Sequence, residues 1–400
     1  MTEALRRDLA GLVADAARVQ TGDSVRDLHG RDSSYHRPQR PDVVLFAADR
    51  DEVSRVLAYA NERGVPVIPF GAGTSNDGHV IPTRGGISVD VSQMTALEVL
   101  PEDLMAVAGP GVLRLQLNER LAGHGLHFPV DPGANATLGG MAATNASGTT
   151  AVRYGSMRDQ VLGLEIVLAD GSVICTGGRV VKNSAGYDLT GLFVGSEGTL
   201  GVITELVLRV HPVPEHTVAV SAVFPDVEAA CRAAAAAVGA GVALQRCEFA
   251  DALTVACVNR YFGLELVEAP SLFAELGGGR AAVDADLEAT RALFEDAGCS
   301  GFATETTTEG RNRLWAARHR AGEAILATAP GKIKKSTDVT VPVSEVPAAV
   351  RWTREELERH GITAALLGHV VDGNYHTVFM VDPERPEELA QAKRIEAAQI

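Results

Sequence analysis

The sequence predicts an α+β protein of at least two domains, and three observations carry that reading. The chain has 400 residues with 46% hydrophobic content, and single cores usually stop growing before that size. From Asp42 the pattern alternates between short apolar runs and an amphipathic run, as in a β-α-β unit. Beyond Pro212 and Pro214 the texture changes to longer helices separated by single strands, which marks a domain boundary.

The N-terminus, M-T-E-A-L-R-R-D-L-A-G-L-V-A-D-A-A, reads as an amphipathic helix. Next, D-V-V-L-F predicts a strand, D-R-D-E-V-S-R-V-L-A-Y-A-N-E-R-G a helix with an acidic start and Gly64 at its end, and V-P-V-I-P-F-G a second strand. Short strands follow (I-S-V-D-V, L-E-V-L, M-A-V-A-G), then a helix at 113–123 and a Gly/Ala/Asn-rich segment at 131–156. L-E-I-V-L and S-V-I-C flank Asp170-Gly171, which predicts a hairpin with a two-residue turn. V-I-T-E-L-V-L-R-V-H-P closes the first domain. In the second, strands near 218–223, 245–249, 271–276, 302–306, 338–343 and a hairpin at 365–381 alternate with helices at 226–238, 284–297, 311–327 and 344–360. That order predicts helices covering one face of a sheet. The divisions are 1–40 (helix and lead-in), 41–214 and 215–400.

A net charge of -15 disfavours nucleic acid and anionic membrane as partners. Five scattered cysteines without a C-x-x-C pair read as reduced thiols, which points to the cytoplasm. The N-terminal helix lacks the apolar core of a signal peptide and carries acids that a transit peptide avoids. No run has the apolar length of a membrane span.

Three glycine clusters carry the binding signal. P-F-G-A-G-T-S (69–75) lacks the third glycine and following helix of a Rossmann fingerprint. Two readings remain: a tight strand-exit turn, or a nest of backbone N–H groups with Thr74 and Ser75 adding donors for a pyrophosphate. V-D-P-G-A-N-A-T-L-G-G-M-A-A-T-N-A-S-G (130–148) suits backbone laid against a flat ligand, and Thr137 is placed to cap a helix whose N-terminus faces an anion. R-Y-G-S-M-R-D follows, and then G-L-F-V-G-S-E-G-T-L-G-V-I-T (191–204). Three such clusters in one domain exceed what packing requires.

The stretch G-H-V-V-D-G-N-Y-H (368–376) places two histidines around Asp372-Gly373. A two-residue turn there would pair 371 with 374 and set His369 opposite His376, Cβ atoms roughly 4.5 to 5.5 Å apart, close enough to share a divalent ion. Asn374 would project from the same face. Ordinary cross-strand histidines are the competing reading.

These motifs resemble the FAD-binding domain of the vanillyl-alcohol-oxidase superfamily. Within it the chain, from about residue 25 onward, is similar to FAD-linked D-2-hydroxy-acid dehydrogenases: the cytochrome-type D-lactate dehydrogenases, the FAD subunit of glycolate oxidase and D-2-hydroxyglutarate dehydrogenase. The resemblance implies a two-lobed FAD-binding domain of the p-cresol-methylhydroxylase (PCMH) type, followed by an α+β cap domain with a largely antiparallel sheet. It implies non-covalent FAD, held at its pyrophosphate by Gly71, Ala72, Gly73, Thr74 and Ser75. Pro132, Gly133, Thr137, Leu138, Gly140, Asn145, Gly148, Tyr154 and Gly155 would line the flavin and diphosphate, with Glu197, Gly201, Val202 and Ile203 along the remaining cofactor. Relatives carry G-H-x-G-D-G-N-x-H and use both histidines to bind Zn or Mn, so His369 and His376 become the expected ligands; Val371 stands where the pattern has glycine. Arg318, in R-L-W-A-A-R-H-R, would hold the substrate carboxylate, assisted by Lys334 or Lys335, with Asn374 a further catalytic candidate on the histidine face.

The implied reaction is oxidation of a small D-2-hydroxy acid, D-lactate before glycolate or 2-hydroxyglutarate. Electrons would pass to a cytochrome, quinone or electron-transfer flavoprotein, with the membrane approached only through that acceptor. A non-catalytic flavin-binding protein and a metal-independent oxidase are the alternatives. Relatives continue into a G-E-H-G segment with a third metal ligand and a histidine base. The sequence stops within a helical pattern at Ile400, so this reading expects a further C-terminal segment.

Overall fold

A computed structural model describes residues 2–399. The chain forms two compact units, Met1–Gly148 with Tyr154–Val213, and Thr149–Arg153 with Pro214–Ile400.

In the first unit, β1 (Val19–Gln20), β2 (Val43–Phe46), β3 (Val67–Phe70) and β4 (Ile87–Asp90) form a sheet in the order β1-β2-β4-β3. Two of its three pairings reflect the expected β-α-β unit: β2 and β3 both run parallel to β4, while β1 is antiparallel to β2. The connecting helix Arg50–Arg63 starts at Asp49, whose side chain accepts from Glu52 N–H, and ends at Gly64 with φ 62°, a conformation that costs glycine little. Its Val53, Val56, Leu57 and Ala60 are buried with Val43, Leu45, Ile87 and Val89. Spacing of three and four residues puts these four side chains on one helical face.

The second sheet of this unit is antiparallel, ordered β5 (Leu97–Leu100), β6 (Met105–Ala108), β10 (Val202–Arg209), β8 (Val161–Val167), β9 (Val173–Gly177). A two-stranded pair joins β7 (Leu126–His127) to β11 (His211–Pro212). The β8/β9 hairpin differs from expectation: Val167 pairs with Val173 and Leu168 N–H donates to Ser172. The loop is therefore Ala169-Asp170-Gly171, three residues rather than two, with Gly171 at φ 86°. The left-handed residue sits last, as in a type I turn closed by a bulge.

In the second unit the sheet order is β15 (Gly301–Glu305), β12 (His216–Val223), β14 (Ser271–Gly278), β13 (Leu244–Ala250), β18 (Ala364–Gly368), β19 (Asn374–Val381), β16 (Ile333–Ser336), with β17 (Val339–Thr340) beside β19. All of its pairings are antiparallel.

Helices cover both faces, not one. On the first face Cys247, Phe249, Tyr375, Phe379 and Val381 pack with helices Val227–Gly239, Val346–Arg359 and Pro386–Gln399. On the opposite face Ala250, Leu367 and Val378 meet helices Ala252–Phe262, Thr308–His319 and Ala321–Ala327. Strands buried on both sides need apolar residues at consecutive positions, which is why runs such as A-A-L-L-G carry no alternation. Helix Ala252–Phe262 was absent from the sequence reading, and the single helix expected at 311–327 is broken at Arg320. No helix among the described residues is long and apolar enough to cross a membrane, and all five cysteines are free.

Candidate active site

In the first unit the glycine clusters converge. Gly71 lies so close to Thr137 that a Cβ would approach its Oγ1 to 2.3 Å, and a Cβ on Gly148 would approach the Asp131 carbonyl oxygen to 1.8 Å. The main chain at 142–145 is tied to 195–197 by Gly195 N–H to Ala142 O (3.0 Å) and Glu197 N–H to Ala143 O (2.8 Å). Asn145 and Glu197 both take positive φ, 48° and 52°, a strain that cross-bonded segments can sustain and that clusters at functional sites. Asn145 Oδ1 accepts from Ser156 Oγ (2.9 Å) and Arg158 N–H (3.0 Å). Glu197 lies 3.8 Å from His79, whose Nδ1 is 3.3 Å from Ser75 Oγ. Gly155 (φ 75°) follows Tyr154, whose ring lies edge-on to His127. Pro132 precedes a turn in which Gly133 N–H (φ 81°) donates to Asp131 Oδ1.

Thr137 caps its helix as expected, accepting from Gly140 N–H. The expected anion-facing N-terminus is not there, however. Leu138 N–H donates to Val112 O and Gly139 N–H to Pro110 O, so the first turn's donors are spent inside the protein. By contrast, none of the described residues accepts from the backbone N–H groups of Ala72, Gly73, Thr74 or Ser75. Four consecutive donors that the described residues leave unclaimed, with Gly73 at φ 63°, suit an anion-binding nest. Val202 and Ile203 bury their side chains, and a Cβ on Gly201 would strike Ile166 and Val167. Only their main chain can meet a ligand: β6 pairs β10 over Leu206–Arg209 alone, which leaves the edge at Val202–Glu205 without a strand. Gly201 and Val202 also line an open cleft of about 200 Å³. Nest, close-packed glycines and open strand edge fit a dinucleotide.

The second unit holds a buried charge cluster. The histidine hairpin has a longer turn than expected: Leu367, not His369, pairs with His376, and residues 370–372 form a 3-10 turn closed by Gly373 at φ 79°. The register differs from the predicted one by two residues. A shift of two preserves side-chain parity, so His369 still lies on the His376 side of the ribbon, with ring centroids 5.6 Å apart at 88°. Val371 is buried in the opposite core and does not crowd the histidines.

Each histidine is anchored through Nδ1. His376 Nδ1 lies 3.1 Å from the Thr337 carbonyl oxygen, and His369 Nδ1 lies 2.5 Å from Glu248 Oε1. Both acceptors require Nδ1 to be the donor, which aims each Nε2 lone pair outward, as in histidine metal ligands. Asn374 leans on the neighbouring strand, donating to Asp338 Oδ1 (2.5 Å), Thr340 Oγ1 (3.1 Å) and the Val339 carbonyl oxygen (3.2 Å). No group of three or more His, Cys, Asp or Glu side chains among the described residues is arranged to hold a metal. By donor chemistry the two imidazoles are compatible with a divalent ion and would supply only two ligands to it.

Glu248, missed by the sequence reading, joins the parts. It sits on β13 with Cys247 and Phe249 facing the other way, and it is fully buried. Its Oε2 accepts from Arg318 Nη2 on helix Thr308–His319. The signal for it was a lone carboxylate in the run C-E-F-A, since glutamate is almost never fully buried unless paired. Arg318 is 9% exposed, and its Nε is buried without an acceptor.

Burial pushes the Glu248 carboxyl up, but Arg318 and His369 outweigh it and hold it below the usual range. Burial likewise pulls His369 down, while the Glu248 charge more than restores it and leaves it raised. His376 is lowered by burial and by the adjacent His369. Burial lifts Asp372 to about 6.

The lysines separate by face. Lys334 pairs with Met380 and Lys335 with Phe379. Cross-strand partners share a face, so exposed Lys334 stands on the His376 side. Lys335 is buried on the other, bonded to Glu396 at 2.6 Å.

Comparisons with known proteins identify the family of both units. Residues 41–177 match the FAD binding domain family, and residues 213–398 match the C-terminal domain of FAD linked oxidases. The chain is 44% identical over 375 residues to a probable mitochondrial D-lactate dehydrogenase of Danio rerio, covering 93% of this chain and 76% of that protein. It is 39% identical over 373 residues to the mitochondrial D-lactate dehydrogenase [cytochrome] of Arabidopsis thaliana, covering 92% and 66%. It is 34% identical over 374 residues to the glycolate oxidase subunit GlcD of Bacillus subtilis, covering 92% and 79%. Among solved structures, p-cresol methylhydroxylase superposes with TM-score 0.79 at 17% identity, over 99% of this chain and 86% of that one. Alkyldihydroxyacetonephosphate synthase does so with TM-score 0.80 at 20% identity, over 98% and 79%. These two likenesses are of fold. By its matched domains and its identity to curated relatives, the chain belongs to the FAD-linked oxidase family that includes the D-lactate dehydrogenases and GlcD.

Proposed function

We propose that this chain is an FAD-dependent D-lactate dehydrogenase that delivers electrons to a non-NAD acceptor, a cytochrome before a quinone or electron-transfer flavoprotein. The observation that carries the reading is the Glu248-centred cluster: a buried guanidinium with an unclaimed N–H and two histidines presenting Nε2 beside it. Arg318 Nε would donate to the substrate carboxylate, and Lys334 on the same face would add charge. His369 and His376 would hold Zn or Mn, which supplies Lewis-acid polarisation of the C2 hydroxyl. FAD, its pyrophosphate held by Ala72 to Ser75 through main-chain donors, would supply the hydride-accepting chemistry. The names of the Danio and Arabidopsis relatives favour D-lactate, and that of GlcD supports glycolate as a second substrate. Scattered free thiols support a reducing compartment, the cytoplasm, whereas the names of those two D-lactate dehydrogenases place them in mitochondria.

The test is anaerobic reduction of the bound flavin. D-lactate should bleach the yellow holoprotein supplied with Zn or Mn, L-lactate should not, and cytochrome c should restore the colour. A flavin that stays oxidised with D-lactate, glycolate and D-2-hydroxyglutarate would leave a non-catalytic flavin-binding protein.

A further inference from the structure

Glu248 is an expensive residue. An ionised carboxylate taken fully out of water costs several kcal/mol unless its partners are well placed, and its strand neighbours Cys247, Phe249 and Ala250 are buried apolar groups. Its two oxygens go to different elements: Oε2 to Arg318 on helix Thr308–His319, and Oε1 to His369 just past β18. The pair to Arg318 is not needed to dock that helix. Trp315, one turn earlier, donates Nε1 to Glu275 Oε2 at 2.7 Å, and the Arg246 guanidinium lies 4.9 Å over the Trp315 ring. This second latch joins the same helix to β13 and β14 independently.

We propose that Glu248 is a positioning residue that sets the carboxylate-binding guanidinium and the metal-binding imidazole from one point. By accepting from Arg318 Nη2, it turns the remaining N–H groups of the fork toward the substrate. By accepting from His369 Nδ1, it commits that nitrogen as donor and leaves Nε2 as the ligand. The distance between the two recognition groups is then fixed by one rigid, three-atom carboxylate, so the enzyme measures the spacing of carboxylate and hydroxyl in a 2-hydroxy acid. This inference rests on the proposed dehydrogenase reading.

The test uses the flavin-loaded protein stripped with chelator and titrated with Zn2+ and with Mn2+, followed by calorimetry, with no turnover required. In Glu248→Gln the amide has one acceptor oxygen and cannot accept from both Arg318 and His369. Metal dissociation constants should rise about 10- to 100-fold, the usual effect of losing a histidine's outer partner, and KM for D-lactate should rise with them. Glu275→Gln, which cuts the helix latch but not the carboxylate bridge, should lower the melting temperature and leave metal affinity within about threefold. Wild-type metal binding with Glu248→Gln unchanged overturns this inference alone. Wild-type protein that binds neither ion overturns the metal reading, and this inference with it, while D-lactate bleaching decides the dehydrogenase reading separately. If Glu248→Gln does not fold, 15N NMR of the wild-type histidines replaces it: Zn2+ should perturb His369 Nε2, and a response at Nδ1 overturns the proposal.

Discussion

Lys334 and Lys335 are adjacent in the sequence and chemically identical, yet the sheet gives them opposite tasks. Lys335 is 4% exposed and its partner Glu396 33% exposed. Breaking a buried ion pair costs roughly 3 to 5 kcal/mol when the survivor stays buried. Glu396 can recover part of its hydration, which places Lys335→Met at about 2 to 3 kcal/mol, with the apolar stem over Phe379 retained. Lys334 is exposed, and its replacement by Met should change stability by no more than about 0.5 kcal/mol. If its ammonium meets the substrate carboxylate, the lost charge-assisted hydrogen bond is worth roughly 1.5 to 3 kcal/mol, equivalent to a rise in KM of about 10- to 100-fold. Urea unfolding and D-lactate kinetics with a dye acceptor read both quantities on the same preparations. A Lys335→Met protein of wild-type stability with a raised KM, beside a silent Lys334→Met, would refute the assignment of faces.

Two further outcomes follow from local geometry. Gly373 has φ 79°, and a Cβ there would meet the Val341 carbonyl oxygen at 2.1 Å, so Gly373→Ala must both adopt a left-handed conformation, at about 1 to 2 kcal/mol, and displace the 341 segment. It should destabilise the protein by about 2 kcal/mol or more and weaken Zn2+ binding; urea melts and metal titrations that match wild type would contradict this. Glu52 is buried and accepts from Arg18 and from the N–H groups of Ala14 and Ala48. Burial alone would raise it, but these bonds prevail and hold it at about 2, against an ordinary 4.5. Because the folded value is depressed, its contribution of roughly 3 kcal/mol is present above pH 4.5 and lost as pH falls toward 2. Glu52→Gln should flatten that acid limb in circular-dichroism titrations, and an acid midpoint and slope equal to wild type would count against the ion pair.

The sequence was most legible where a local rule decides the outcome. Asp49 and Gly64 delimit a helix because capping and left-handed termination involve only a few consecutive residues. The glycine clusters were readable as backbone packed against something, since absent side chains are visible in the sequence. Which donors stay free was not readable. Of the two anion-facing positions read from the sequence, the helix start at Thr137 is excluded because Leu138 and Gly139 give their N–H groups to Val112 and Pro110, residues brought there by the fold. The nest at 72–75 is the one whose donors stay unclaimed by the described residues. Likewise the hairpin register missed by two residues because Asp-Gly favours a two-residue turn, whereas Val370 and Val371 gain more by burial in the core beneath. The lysines could not be separated without knowing which strand edge β16 occupies.

The histidine pair also shows why a binding motif is not a binding site. G-H-V-V-D-G-N-Y-H brings two imidazoles together, but nothing within those nine residues fixes how the rings turn. The ring of His369 is set by Glu248, 121 residues upstream, and that of His376 by Thr337, 39 residues upstream. Strand order decides both: β13 lies beside β18, and the Thr337 turn between β16 and β17 lies beside β19. A free hairpin with the same sequence would leave each Nδ1 and Nε2 to compete for water and metal, and both ligands would pay the entropy of ordering on binding. The sheet pays it during folding, and it also places Arg318 on the same carboxylate. If that account holds, grafting the nine residues onto another hairpin transfers the spacing of the histidines and little of their affinity, whereas moving Glu248 and Thr337 with them restores it.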